Sequence, residues 1–119
     1  MERGIKQEKA RGILAQLRAN LGLSQEDLGT MFGAGAEVLA GWETGAAEVP
    51  ETVLARMIAA QSALERLLWL FRADRLPQVI RRRAPVFNGE RALDWILDGR
   101  LAEVAERYDN GLSYLRRTA

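Results

Sequence analysis

Apolar residues return at three- and four-residue spacing along almost the whole chain, and no apolar–polar alternation persists long enough to make a strand. That periodicity commits the chain to an all-α fold, in which each helix hides an apolar stripe against another helix. The punctuation divides it. The first helix is expected at 6–20, with Ile13, Leu14 and Leu17 inward and Asn20-Leu21-Gly22 as its stop. Ser24 stands three residues before Asp27, in the arrangement of a capping box, and starts a second helix that closes at Gly33. A third is expected at 36–43, stopped by Gly45. Pro50 opens a long helix, 51–72, whose Leu54, Met57, Ile58, Leu64, Leu67, Leu68 and Phe71 form a stripe broader than a small bundle uses. Such a stripe favours a homodimer or hetero-oligomer. Asp74 and Pro77 interrupt it, 84–89 reads as a connecting loop, and two short helices follow: 90–98, ended by Gly99, and 101–109, ended by Asn110-Gly111. Trp42, Trp69 and Trp95 fall at apolar positions and are expected in the core or in a dimer seam, with Phe32 and Phe71 alongside. Two units are expected: a bundle over 1–72 that includes the long linking helix, and a small helical module over 73–119.

The residue inventory removes most chemistry. The 119 residues contain neither Cys nor His, so thiolate metal sites, cysteine nucleophiles and imidazole acid–base catalysis are absent together. No G-x-S-x-G elbow and no phosphate-binding glycine loop occurs. No catalytic residue, cofactor or metal is expected. Residues 1–11 are mixed polar, no apolar run reaches membrane-spanning length, and a cytoplasmic, non-membrane protein is expected.

The formal charge of +1 conceals three unlike segments: +3 through Arg18, −6 over 19–55, where Glu26, Asp27, Glu37, Glu43, Glu48 and Glu51 meet no cation, and +4 from Arg56 onward. Residues 21–45 resemble the Xre/Cro-type helix-turn-helix: Leu28, Phe32, Ala34, Leu39 and Trp42 stand where that motif buries apolar side chains, Gly29 where its helices cross, and Gly33 where its turn needs positive φ. The resemblance implies a DNA-facing set of Gln25, Ala36, Glu37 and Gly41, with Arg11 and Arg18 of the first helix able to reach a flanking backbone. Yet the surface departs from the family. Nonspecific DNA affinity comes from cations at phosphates, about 6 to 10 of them in a tight binder. The segment that would face the duplex carries none, and alanine, glycine and glutamate form no bidentate base contact.

Residues 86–113 are similar to the toxin-binding domain of the Xre/MbcA/ParS antitoxins, through Gly89, Arg91, Leu93, Ile96, Gly99, Glu103, Val104 and Gly111. Ala92 stands where that domain usually has Pro, and Trp95 replaces part of an aliphatic pair. The domain order, helix-turn-helix first, fits as well, and the two resemblances together span 9–114. They imply a non-catalytic protein whose C-terminal region covers the active-site cleft of a RES-type toxin that consumes NAD. The expected partner-binding residues are Arg81, Arg82, Arg83 and Arg91, with Leu112, Ser113, Tyr114, Arg116 and Arg117 of an apolar, aromatic and basic tail. The alternative is an Xre-family DNA-binding regulator, repressing its own operon.

Overall fold

The structure, a computed structural model, describes residues 2–118, and the side chains of 4–112. These residues form α1 (Glu2–Leu21), α2 (Gln25–Phe32), α3 (Ala36–Thr44), α4 (Glu51–Leu70), α5 (Leu76–Val79), a 3₁₀ turn (Pro85–Phe87), α6 (Ala92–Leu97) and α7 (Leu101–Thr118). The all-α reading holds. Among the described residues no helix is long and apolar enough to cross a membrane.

The helix ends fall where side-chain chemistry puts them. Gly22 takes φ +66° behind α1. At the start of α2, Ser24 Oγ accepts from the Asp27 amide at 3.0 Å while Asp27 Oδ2 accepts from the Ser24 amide at 3.0 Å, so two otherwise unpaired N–H groups are satisfied reciprocally. Gly33 closes α2 in the left-handed conformation at φ +68°. Gly29 is required for a different reason: a Cβ there would lie 2.6 Å from the Ala34 carbonyl oxygen, within the turn that leads into α3. The expected helix crossing is thus a close approach to the turn backbone, tighter than even alanine allows.

One continuous core runs from Ala10 of α1 to Ala105 of α7. α4 lies at its centre, packed on α1 through one side and on α7 through another, with Met57 and Leu67 fully enclosed. α6 and the 3₁₀ turn close the far end. There Phe87 is wholly buried and meets Trp95 and Tyr108 edge to face, centroids 5.1 and 5.0 Å apart, and Tyr108 meets Phe71 at 4.9 Å. Edge-to-face packing of this kind adds about 0.5–1.5 kcal/mol per pair beyond area burial. Among the described residues no polar or charged side chain is buried.

Three expectations change. α4 stops at Leu70, because Phe71 turns to extended backbone, φ −131° and ψ 149°, and carries its ring down onto Tyr108. Asn110-Gly111 does not end the last helix: Gly111 keeps negative φ and α7 continues to Thr118, whereas the five glycines that do break regular structure, Gly22, Gly33, Gly45, Gly89 and Gly99, all have positive φ. Trp69 is not core. It is 89% exposed, and only the fringe of the broad stripe, Ile58 and Leu68, joins it at the surface.

Candidate partner-binding surface

The end of the molecule built by α6, α7 and the 3₁₀ turn carries the densest arrangement of charge. Arg91, just before α6, holds Asp94 with Nε at 3.1 Å from Oδ2 and Nη2 at 2.6 Å from Oδ1, and the Arg91 amide donates to the same carboxylate at 3.3 Å. The hydrogen bond from Arg91 holds the Asp94 carboxyl below the usual carboxylate range. Arg100 grips Glu103 in the same two-pronged way, at 2.8 and 2.9 Å, and lowers its carboxyl chiefly through that bond. The Trp95 indole meets two cations, with the Arg100 guanidinium 3.9 Å and that of Arg107 4.5 Å from its ring centroid. Its Nε1 donates to Glu90 at 2.8 Å. These cation–π contacts fix the ring, while the guanidinium edges are taken up by Glu103 and the Val86 carbonyl. Beside this stack an open groove of about 580 Å³ is lined by Val86, Glu103, Glu106, Arg107, Asn110 and Gly111, with Arg107 Nη1 bonded to the Val86 carbonyl at 2.9 Å. Tyr108, on the inner side of α7, is half-buried, and desolvation pushes its hydroxyl above the ordinary tyrosine value.

The sequence-predicted residues do not converge on one patch. Arg81 turns inward: Nη1 donates to the carbonyls of Leu21 at 2.9 Å and Pro77 at 2.7 Å, and Nη2 to that of Gly22 at 2.8 Å, so it clamps the end of α1 to α5. Arg83 bonds the Gly89 carbonyl at 3.2 Å and steadies the 84–89 loop. Arg91 is half-buried and engaged with Asp94. Arg82 is exposed, and among the described residues its guanidinium has no hydrogen-bond or ion-pair partner. Leu112 is half-buried on α7; the side chains of Ser113, Tyr114, Arg116 and Arg117 lie outside the described residues.

The α2–α3 face shows where the DNA-type residues go. Glu43 of α3 takes Arg18 of α1 at 3.2 Å on one oxygen and Gln25 of α2 at 3.0 Å on the other, so both side chains are tied to α3 at the bundle surface. Arg11 is exposed and sits over Gly45, where an added Cβ would come within 3.3 Å of its guanidinium. Gly41 is half-buried, and a Cβ there would stand 2.9 Å from the Ala47 methyl group: the glycine serves the turn behind α3. Ala36, Glu37 and Val38 are left on the outer face, Val38 49% exposed.

Sequence reasoning missed Trp69, Arg100 and Arg107, and missed Arg72 and Arg75, which border a second groove with Arg82. Arg100 stands immediately before α7 and Arg107 seven residues on, within it, a spacing that was legible. Their meeting with Trp95 of a different helix was not.

No family model matches the chain, and no curated protein matches it in sequence. Its fold does have a counterpart: with a TM-score of 0.61 at 19% identity, over 83% of this chain and 89% of the other, it is similar to a chain of the crystal structure of the M. tuberculosis MbcT–MbcA toxin–antitoxin complex, and the two share one helical architecture.

Proposed function

We propose that this chain is an antitoxin, a non-catalytic protein that binds a toxin and closes its active site. The observation that carries the reading is the likeness over most of both chains to a member of a toxin–antitoxin complex. The similarity of 86–113 to the toxin-binding domain of that class, read independently from the residues, supports it. The partner is then a RES-type, NAD-consuming enzyme, and the mechanism is occlusion. The α6–α7 end supplies the surface, with Arg107 in the wall of the groove and Leu112, Ser113, Tyr114, Arg116 and Arg117 following it in the chain. A preformed helix loses little conformational entropy on docking, so more of its contact energy appears as affinity.

Co-expression with the protein encoded next to it tests the reading. The neighbour alone should arrest growth and deplete cellular NAD, this chain should restore both, and the two should co-purify. A neighbour that is harmless, or that does not bind, removes the proposal.

A DNA-binding regulator is the second reading, favoured by the α2–α3 frame with Gly33 at φ +68°. The −6 charge of 19–55 and the engagement of Arg18 and Gln25 by Glu43 weigh against it. Anisotropy titration against the upstream DNA at low salt, with and without the partner, decides it. If binding occurs, Arg11→Glu or Arg18→Glu should weaken it more than Ala36→Glu; the opposite ranking means that α3 reads the DNA.

A further inference from the structure

Where α4 gives way to α5 the backbone brings together three guanidinium groups that sequence distance keeps apart. Arg72, Arg75 and Arg82, with Gln78 and Val79, line an open groove of about 310 Å³. Arg72 is engaged by Asp74 at 3.2 Å, with both side chains largely in solvent. Among the described residues the guanidinium groups of Arg75 and Arg82 have no hydrogen-bond or ion-pair partner. Arg81, between them in the chain, points the other way into the α1 clamp, which fixes α5 and thereby holds the groove's floor. Trp69 stands three residues before Arg72 and is 89% exposed, while Trp42 and Trp95 are 6% and 5% exposed.

From this groove, and from the exposed Trp69 close by in the chain, we propose that the Arg72–Arg75–Arg82 groove is a docking site for an acidic segment of a partner protein, carboxylates seated on the arginines and an apolar side chain reaching the indole. The proposal does not depend on the function assigned to the α6–α7 end. Charge complementarity selects the occupant. Two guanidinium groups in one concavity, unpaired among the described residues, are an arrangement that carboxylates satisfy bidentately. Arginine and tryptophan are also the residues on which protein interfaces concentrate their energy. A nucleic acid is the poorer fit, since three cations fall short of the roughly 6 to 10 phosphate contacts of a tight binder.

The test uses the full chain and three probes: a fluorescein-labelled glutamate-rich peptide containing leucine, a labelled single-stranded oligonucleotide of similar length, and inorganic phosphate. Trp69 emission should shift to the blue as the peptide binds, a signal that Trp69→Phe abolishes. Anisotropy should give a peptide affinity that falls between about 50 and 200 mM salt. It should drop about tenfold or more in Arg75→Glu/Arg82→Glu, and stay unchanged in Lys9→Glu, a charge change on an exposed side chain of α1. Circular dichroism checks that the double variant remains folded, and Arg75→Gln/Arg82→Gln, which removes charge without reversing it, should show a smaller loss in the same direction. The proposal is overturned if the peptide does not bind at the lower salt, if Lys9→Glu costs as much as the double variant, if the oligonucleotide binds more tightly than the peptide, or if phosphate alone competes at equal concentration.

Discussion

Replacing Arg81 by alanine isolates one contact that joins the two halves of the chain. In the wild type a single guanidinium donates to the carbonyls of Leu21, Gly22 and Pro77 at 2.7–2.9 Å, closing the C-terminal end of α1 against α5. The positive charge also complements the negative end of the α1 dipole. Hydrogen bonds from a charged donor contribute about 1.5–3 kcal/mol each in favourable settings. The three do not add, because one side chain makes them all and the Gly22 carbonyl is open to water once the arginine is gone. The loss is therefore set mainly by the two half-buried carbonyls, about 2–3 kcal/mol. For a domain of this length each kcal/mol moves the midpoint of thermal unfolding by about 4 °C, so Arg81→Ala should lower Tm by about 10 °C. Arg81→Lys, whose ammonium cannot span three carbonyls, should recover less than half of that. Arg82→Ala, one residue on, should lie within about 0.5 kcal/mol of wild type in urea titration, since its side chain is exposed and unengaged. Equal midpoints for the Arg81→Ala and Arg82→Ala variants would refute the clamp and return Arg81 to the solvent-facing set.

Other outcomes follow from the same structure. Gly29→Ala should cost about 3 kcal/mol or more, because its methyl carbon would stand 2.6 Å from a backbone oxygen that only movement of the α2–α3 turn can relieve; a urea midpoint near wild type would show the turn to be slack. Trp69→Ser should leave Tm unchanged and raise solubility, whereas Phe87→Ala should lower stability by about 3–5 kcal/mol, both read by calorimetry. The Asp94 and Glu103 carboxyls are held low by Arg91 and Arg100, so their contribution is present above the unfolded carboxylate values and is lost as pH falls below about 4; Asp94→Asn should flatten that acid limb of the stability curve, by a small amount because both pairs are solvated. Tyr108 behaves oppositely: its raised value means the unfolded chain ionises first, so stability should fall above about pH 10, and Tyr108→Phe should remove that alkaline decline.

The legible part of the fold was what is decided locally. Ser24 with Asp27, Gly22, Gly33, Gly45 and Gly99 set helix ends through their own backbone or a neighbour three residues away, and periodicity set the inward faces. The illegible part was decided across the chain. Asn110-Gly111 carries the same letters as a stop signal, but helix propagation through α7 prevailed, and nothing in the structure requires glycine at 111, where a Cβ would sit at an ordinary 3.9 Å from Val86. Trp69 satisfies the apolar periodicity of α4 while facing away from both neighbouring helices, which no pattern within α4 reveals. The run Arg81-Arg82-Arg83 looked like one basic patch; the geometry separates it into a clamp, an exposed cation unengaged among the described residues, and a loop brace. The groove arginines were missed because Arg72 and Arg75 border Arg82 only after the chain turns at 73–75 and passes through α5.

Glu43 is the single acceptor for both Arg18 and Gln25, and it is the residue that ties α1, α2 and α3 into one node. It therefore also governs how far this frame stands from a different trade. Exchanging Glu43 for a neutral residue removes one negative charge, frees a guanidinium and an amide on the outer side, and leaves the buried residues untouched. Descendants of such a chain could move toward or away from polyanions through a few surface letters, with the architecture inherited intact.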